Sequence, residues 1–267
     1  MSRFHNLPGA VLSALVMVLA TSVPALGQTD DRESARLAAE AEAFWIRRDE
    51  PASMRNALDA FERIAALSPE EARSHSDLAR AFWWYAMLRP SSEMAERREL
   101  YRRGAGAARR AQILAPDEPG GYYWEAANLV QAATVKGGFA APDDVFRIRK
   151  LIRKVEALNT WYQHGSIRYV EATLIIRLPT IERWLFGRRL ATAVDLSAAA
   201  LGFENNCFYG HWVLARALVA NGRRSAAVAQ LRFLLTGNTE AFLPDGPENR
   251  VVRKWALTFL EELEVSD

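Results

Sequence analysis

Apolar positions recur every three or four residues along nearly the whole chain beyond Asp30, the pattern of helices that bury one face. Sustained alternation of β-branched and polar residues, which marks strands, is almost absent. Pro51, Pro69, Pro90, Pro116, Pro119, Pro142 and Pro179 punctuate the pattern, because proline cannot continue a helix interior. Gly137, Gly138, Gly202, Gly222 and Gly237 follow periodic segments, where a left-handed cap is expected. These signals predict helices over 31–48, 52–67, 70–88, 92–115, 121–135, 143–159, 166–177, 181–201, 206–221, 225–235 and 248–264.

One spacing occurs twice. Ala193, Ser197, Ala200 and Asn205 are followed by His211, Leu214, Ala215 and Leu218, and Ala57, Phe61, Ile64 and Pro69 are followed at the same offsets by His75, Leu78, Ala79 and Phe82. Small residues at fixed steps on one helix, then a second helix with its own small residue, describe a helical hairpin that stacks on copies of itself. Gly104 and Gly106 stand inside a predicted helix, where each costs about 0.5–1 kcal/mol relative to alanine. That cost predicts close approach of a neighbour at both, with the bulky partners supplied by Phe82 to Tyr85 and Tyr122 to Trp124.

The pattern resembles the tetratricopeptide repeat, a helix-turn-helix unit of about 34 residues. Leu214, Ala215 and Leu218 match its first helix, Ala227, Leu231 and Leu234 its second, and Gly222 its turn. Residues 140–189 do not follow the repeat, and Trp45 stands where a small residue is expected. The layout of small-residue hairpins, the Gly121 to Ala127 helix start, the segment from Trp161 through Pro179 and the hairpins over 190–237 also looks like the T component of tripartite periplasmic (TRAP-type) transporters. The resemblance implies an all-α chain, a TPR-like α-α superhelix of antiparallel hairpins, that associates with a periplasmic solute-binding protein.

In that geometry the first helices of successive units line a concave groove. Carried over by position, the groove receives Arg80, Trp83 and Trp84, then Tyr123 and Gln131, then Tyr209, Trp212 and Arg216. Aromatics interspersed with arginines suit a peptide segment, or an apolar ligand with an acidic end. The competing reading is that the aromatics fill the core between irregular repeats.

The N-terminus adds a location. Arg3 precedes a short apolar run over 10–20, and Ala25 and Gly27 have the small side chains of an export cleavage site, so 1–27 reads as a secretory signal and 28–267 as the helical domain. The apolar run is shorter than the roughly 20 residues of a comfortable membrane span. A periplasmic or secreted chain is expected, without a lipid anchor because no cysteine follows the cleavage region. Cys207 is the single cysteine, so no internal disulfide forms, and it is expected to be a small buried residue near a helix start. The 34 Lys+Arg nearly balance the 32 Asp+Glu, which argues against a nucleic-acid surface.

Catalytic signatures are missing. There is no His-Glu-x-x-His, cysteine cluster, Gly-x-Ser-x-Gly elbow or phosphate-binding glycine loop, so neither enzyme activity nor a cofactor or metal is expected. His75 and His211 occupy equivalent repeat positions and read as structural. His164 lies in a loop, and only burial of it beside an acid such as Glu171 would point to catalysis. The 143–159 helix carries Val145, Ile148, Leu151, Ile152 and Val155 on one face and Arg147, Lys150 and Lys154 on another: a solvated outer face, or one drawn to an anionic membrane. The most direct expectation is an exported, non-catalytic adaptor for an envelope protein or peptide. The alternative is a transporter accessory holding an apolar or acidic-apolar small ligand.

Overall fold

The computed structural model describes residues 26–135, 142–185, 187–236 and 246–265. The expected leader, up to residue 25, lies outside the described residues, as do Gly137, Gly138 and Gly237. The described chain is all-α, with no strand among the described residues. Its helices are α1 (Leu26–Trp45), α2 (Pro51–Leu67), α3 (Ala72–Leu88), α4 (Met94–Leu114), α5 (Pro119–Val135), α6 (Pro142–Leu158), α7 (Ile167–Arg177), α8 (Thr180–Leu185), α9 (Leu190–Leu201), α10 (Phe208–Ala220), α11 (Arg224–Thr236) and α12 (Gly246–Val265), with a 3-10 turn at Tyr162–Gly165. None of the described helices is long and apolar enough to cross a membrane.

The expected prolines fall at helix starts or in the turns between helices. Pro51, Pro119 and Pro142 open α2, α5 and α6, where the missing N–H is not needed and φ is already helical. The 181–201 segment is not one helix. Gly187 adopts φ +62°, its N–H donates to Trp184 O at 3.0 Å, and Arg188 N–H donates to Arg183 O at 2.8 Å. That left-handed cap ends α8, and a new helix starts at Leu190. Gly222 closes α10 in the same way, with φ +74°. Gly202 does not: it keeps right-handed angles of φ −62° and ψ −22°.

Consecutive helices from α1 to α7 and from α9 to α12 pack against each other, α7 packs on α9, and α3, α5, α7, α10 and α12 also touch the next member of their own set. They form an inner layer, with α2, α4, α6, α9 and α11 on the outside. Ala57 and Phe61 on α2, and Ala193, Ser197 and Ala200 on α9, are buried as their spacing predicts. His75 Nε2 donates to the Pro69 carbonyl at 2.9 Å, and His211 Nε2 donates to the Asn205 carbonyl at 2.8 Å. Each histidine therefore ties its helix to the turn six residues earlier, the same device in both hairpins. Gly104 meets a close neighbour, since a Cβ there would lie 2.5 Å from Asn128 Oδ1. The partner is an asparagine on α5, not one of the expected aromatic runs. Gly106 faces open space, so close packing does not account for it.

All five apolar residues of the α6 stripe are buried. Two of its basic residues turn back onto the protein: Arg147 pairs with Glu125 at 2.6 Å, and Lys154 Nζ lies 5.5 Å from the Tyr122 ring.

The inner layer curves until its last helix meets the first turn. Arg250 of α12 donates through Nε and Nη2 to the two oxygens of Asp49, between α1 and α2, at 2.8 and 3.0 Å. This bidentate pair joins positions 201 residues apart in sequence and fixes orientation as well as distance.

Candidate functional site

Bending the inner layer through this arc brings its helices to one central pocket of about 220 Å³. Trp45 of α1, Arg80, Trp83 and Trp84 of α3, Tyr123, Trp124 and Gln131 of α5, Tyr169 of α7, Tyr209 of α10, and Glu248 and Asn249 of α12 contribute to its wall. The four consecutive aromatics of α3 span a full helical turn and are all buried, so the inner face alone cannot hold them. Trp83 and Trp84 are among those that reach the pocket.

The aromatic wall is continuous. Trp83 meets Trp84 edge-on at 5.4 Å, Trp124 at 6.2 Å and Tyr209 at 6.0 Å, and Tyr209 meets Tyr169 at 6.2 Å. These separations and tilts are those that the ring quadrupoles prefer. Ser166 Oγ donates to the Tyr123 hydroxyl at 2.9 Å. Burial pushes the Tyr123, Tyr169 and Tyr209 phenols well above their ordinary range, so all three are neutral. Cys207 caps α10 by accepting from Gly210 N–H at 3.3 Å, and burial pushes its thiol up to about 12, which leaves it unreactive near neutral pH.

Two guanidinium groups stack on the same wall. Arg80 lies 4.3 Å from the Trp45 ring, and Arg48 lies 4.8 Å from Trp45 and 5.5 Å from Trp84. Arg48 donates to the Trp45 carbonyl at 3.0 Å, and burial lowers its pKa to about 10. Arg80 Nη2 pairs with Asp77 at 3.1 Å, while its buried Nε has no acceptor, and neither has the buried Trp83 Nε1. Arg80, Trp124 and Gln163 also border a second recess between α3, α4 and the start of α5.

Glu248 faces this wall from the first turn of α12. Burial, opposed by Arg48 and reinforced by Glu204, raises its carboxyl to about 7. A carboxyl that holds its proton more tightly when folded stabilises the fold most fully below its ordinary range near 4.5, and that contribution is lost as pH rises from there through about 7. The expected loss is on the order of 2 kcal/mol between pH 5 and 8, at about 1.4 kcal/mol per tenfold change in proton affinity, reduced because Glu248 is partly exposed. Urea unfolding of Glu248→Gln should match the native chain at pH 5 and exceed it at pH 8. Equal pH slopes for the two chains would show that Glu248 titrates normally.

Six of the eight expected groove residues meet here: Arg80, Trp83, Trp84, Tyr123, Gln131 and Tyr209. Trp212 and Arg216 are not in the pocket wall. Trp212 packs on Trp255 and Phe259 of α12, at 6.1 and 5.4 Å, and Arg216 lies 5.8 Å from the Trp212 ring. The repeat register placed them on a free inner face, but α12 covers that part of α10.

His164 and Glu171 do not come together. His164 is 68% exposed with Nδ1 3.5 Å from Glu204, while Glu171 pairs with Arg188 at 2.6 Å. Gln163 and His164 hold φ of 49° and 55°, and Gly165 follows at 73°. This left-handed run, strained for the two residues with side chains, sets Gln163 and His164 at the pocket edge. Among the described residues, no three His, Cys, Asp or Glu side chains gather as a metal site.

The sequence reading missed Trp45, Tyr169, Glu204, Glu248 and Asn249. Tyr169 lies in the stretch without repeat register, and the others reach the site only when the helical stack curves round. No family model matches this chain, and no curated protein does.

Proposed function

We propose that this protein is an exported small-ligand-binding solenoid of tetratricopeptide type, which holds its ligand in the central pocket without transforming it. The observation that carries this reading is the convergence of α1, α3, α5, α7, α10 and α12 on one aromatic pocket. Ligand sites are concave and mostly apolar, with a few convergent polar groups. Here the rings supply the apolar surface and Arg80, Gln131 and Glu248 the polar points. A cavity of about 150 Å³ accepts benzene, so a volume near 220 Å³ suits a compact ligand of somewhat more than one ring. The layout it shares with transporter T components supports the same reading, with a periplasmic solute-binding protein as partner. A protein or peptide docked in an open groove draws less support, because Trp212 is covered by α12 and Arg216 stands outside the pocket.

Native protein unfolded in a mass spectrometer should release a small molecule. A thermal-shift panel of aromatic and branched acids, amides and amines should contain stabilisers, which at about 100 times Kd contribute ~2.7 kcal/mol. Ala127→Phe places a ring where a buried wall residue now leaves space, and should abolish the shift while the far-UV spectrum is unchanged. Release of nothing, with no member of the panel stabilising the native chain, overturns the reading.

A further inference from the structure

The segment that departs from the repeat, 140–189, also departs in charge. It holds ten Lys and Arg against five Asp and Glu, whereas the chain as a whole carries only +2. The remainder of the chain is therefore net acidic, and the positive surplus is local.

Within this segment α8 is held by its ends and not by a packed face. Arg183 Nη1 donates to the Leu178 carbonyl at 2.6 Å and Nη2 to Thr180 Oγ1 at 3.0 Å, and the Gly187 cap closes the other end. Among the described residues α8 shares no extensive contact with another helix. Its Ile181 and Trp184, three positions apart and so on one face, are 73% and 78% exposed. Single exposed apolar side chains are ordinary, but a braced turn that presents two large ones together is a contact surface.

Cations surround that surface. Arg189 is exposed, and Arg188 pairs with Glu171 of α7 at 2.6 Å. Arg188 also lies near the outer face of α6, where burial, then Arg188 and Arg153, lower the pKa of Arg149. Lys150 and Arg153 are exposed on α6, with the exposed Phe146 one turn before Lys150. The acids of the segment are fewer: Glu171 is taken by Arg188, Glu156 and Glu182 are half-buried, and Asp143 and Asp144 stand in the first turn of α6. None of these residues borders the central pocket.

The geometry points to a peripheral docking surface for an anionic lipid bilayer, with Ile181 and Trp184 of α8 entering the headgroup layer and Lys150, Arg153 and Arg189 facing the lipid phosphates. A fluid interface receives a projecting indole without a matching pocket, and tryptophan is the side chain that prefers that depth. A second copy seated on the same face would set two positive surpluses against each other. Six residues are too few to span a bilayer, so α8 lies in its surface. Apolar insertion and charge attraction are each weak and anchor the protein only in combination.

Flotation of the full chain with vesicles of phosphatidylcholine containing about one third phosphatidylglycerol tests the proposal. The native chain should float with them at about 0.05 M salt, and much less at about 0.5 M salt or with phosphatidylcholine alone. Trp184→Ser should weaken partitioning about tenfold, and Lys150→Glu combined with Arg189→Glu about tenfold or more. All variants keep the native N-terminus, so any pull from the apolar run over 10–20 is common to them, and thermal melts check that each is folded. Trp184→Phe should still float but lose most of the blue shift in tryptophan emission that binding produces. Absence of flotation, flotation undiminished in Trp184→Ser, or equal flotation with neutral vesicles overturns the proposal. So does a dimer in sedimentation that Trp184→Ser dissociates, which would give the face to a second copy.

Discussion

Trp84→Ala should destabilise the protein by about 3–5 kcal/mol, the range for truncating a large aromatic in a packed interior. Trp84 is 4% exposed, meets Trp83 edge-on and carries the Arg48 guanidinium against its ring. Removing the indole forfeits its burial, leaves a void that the backbone of a mid-helix position cannot collapse into, and takes away a face on which a buried cation rests. For a domain of this size each kcal/mol moves Tm by about 2–4 °C, so the melt should fall by roughly 10 °C. Chemical unfolding followed by tryptophan fluorescence and by far-UV dichroism should give the same midpoint shift. A change below about 1 kcal/mol would mean that Trp84 lies on an accessible surface and belongs to a groove alone. The expected outcome makes Trp84 both core and wall: its ring completes the fold and, where it borders the pocket, shapes the space a ligand occupies.

The two readings of the aromatic runs thus prove less exclusive than their sequence implies, and the reason is geometric. Repeat register tells which face of α3 or α5 points inward, because it depends on neighbours a few residues away. From that alone Trp83, Trp84 and Tyr123 could be set on one side of the molecule. His75 and His211 were legible for the same reason, since the carbonyl each one holds lies six residues back along the chain. What register does not give is the accumulated curvature of the stack. Small rotations between successive hairpins decide whether α12 ends far from α1 or against it, and no local spacing encodes their sum. The Asp49–Arg250 pair is the product of that sum, and with it come Glu248, Asn249 and Trp45 as wall residues. The same closure removes Trp212, which would be a groove residue at the end of an open stack and instead packs, half-buried, on Trp255 and Phe259 of α12. Gly187 carried a readable signal, a glycine among arginines in the middle of an apolar run, but its left-handed turn had to be weighed against helical periodicity on both sides.

Glu125→Ala should cost about 3–4 kcal/mol, although the position looks like one polar residue in an apolar helix. Glu125 is fully buried on α5, and its Oε1 accepts from Arg109 Nε of α4 at 2.6 Å and Arg147 Nε of α6 at 2.7 Å, while Oε2 accepts from Gln112 Nε2 at 2.6 Å. One carboxylate therefore ties three consecutive helices together. A buried charge is stable only when its lone pairs are answered, and here three donors, two of them cationic, answer them. Breaking such a pair by deleting one partner usually costs about 3–5 kcal/mol. The lower part of that range applies because Arg109 and Arg147 are half-exposed and can return to water once the carboxylate is gone. Glu125→Gln keeps the shape and one acceptor but loses the charge, and should cost about half as much. Arg109→Ala should cost less again, since Arg147 and Gln112 still hold the carboxylate. This ordering, read from urea midpoints at fixed pH, separates a charge-assisted junction from simple space-filling: if volume alone mattered, Glu125→Gln would be neutral and Arg109→Ala silent. A loss below about 1 kcal/mol for Glu125→Ala would mean that the helices are held by their apolar contacts and the carboxylate merely fits between them.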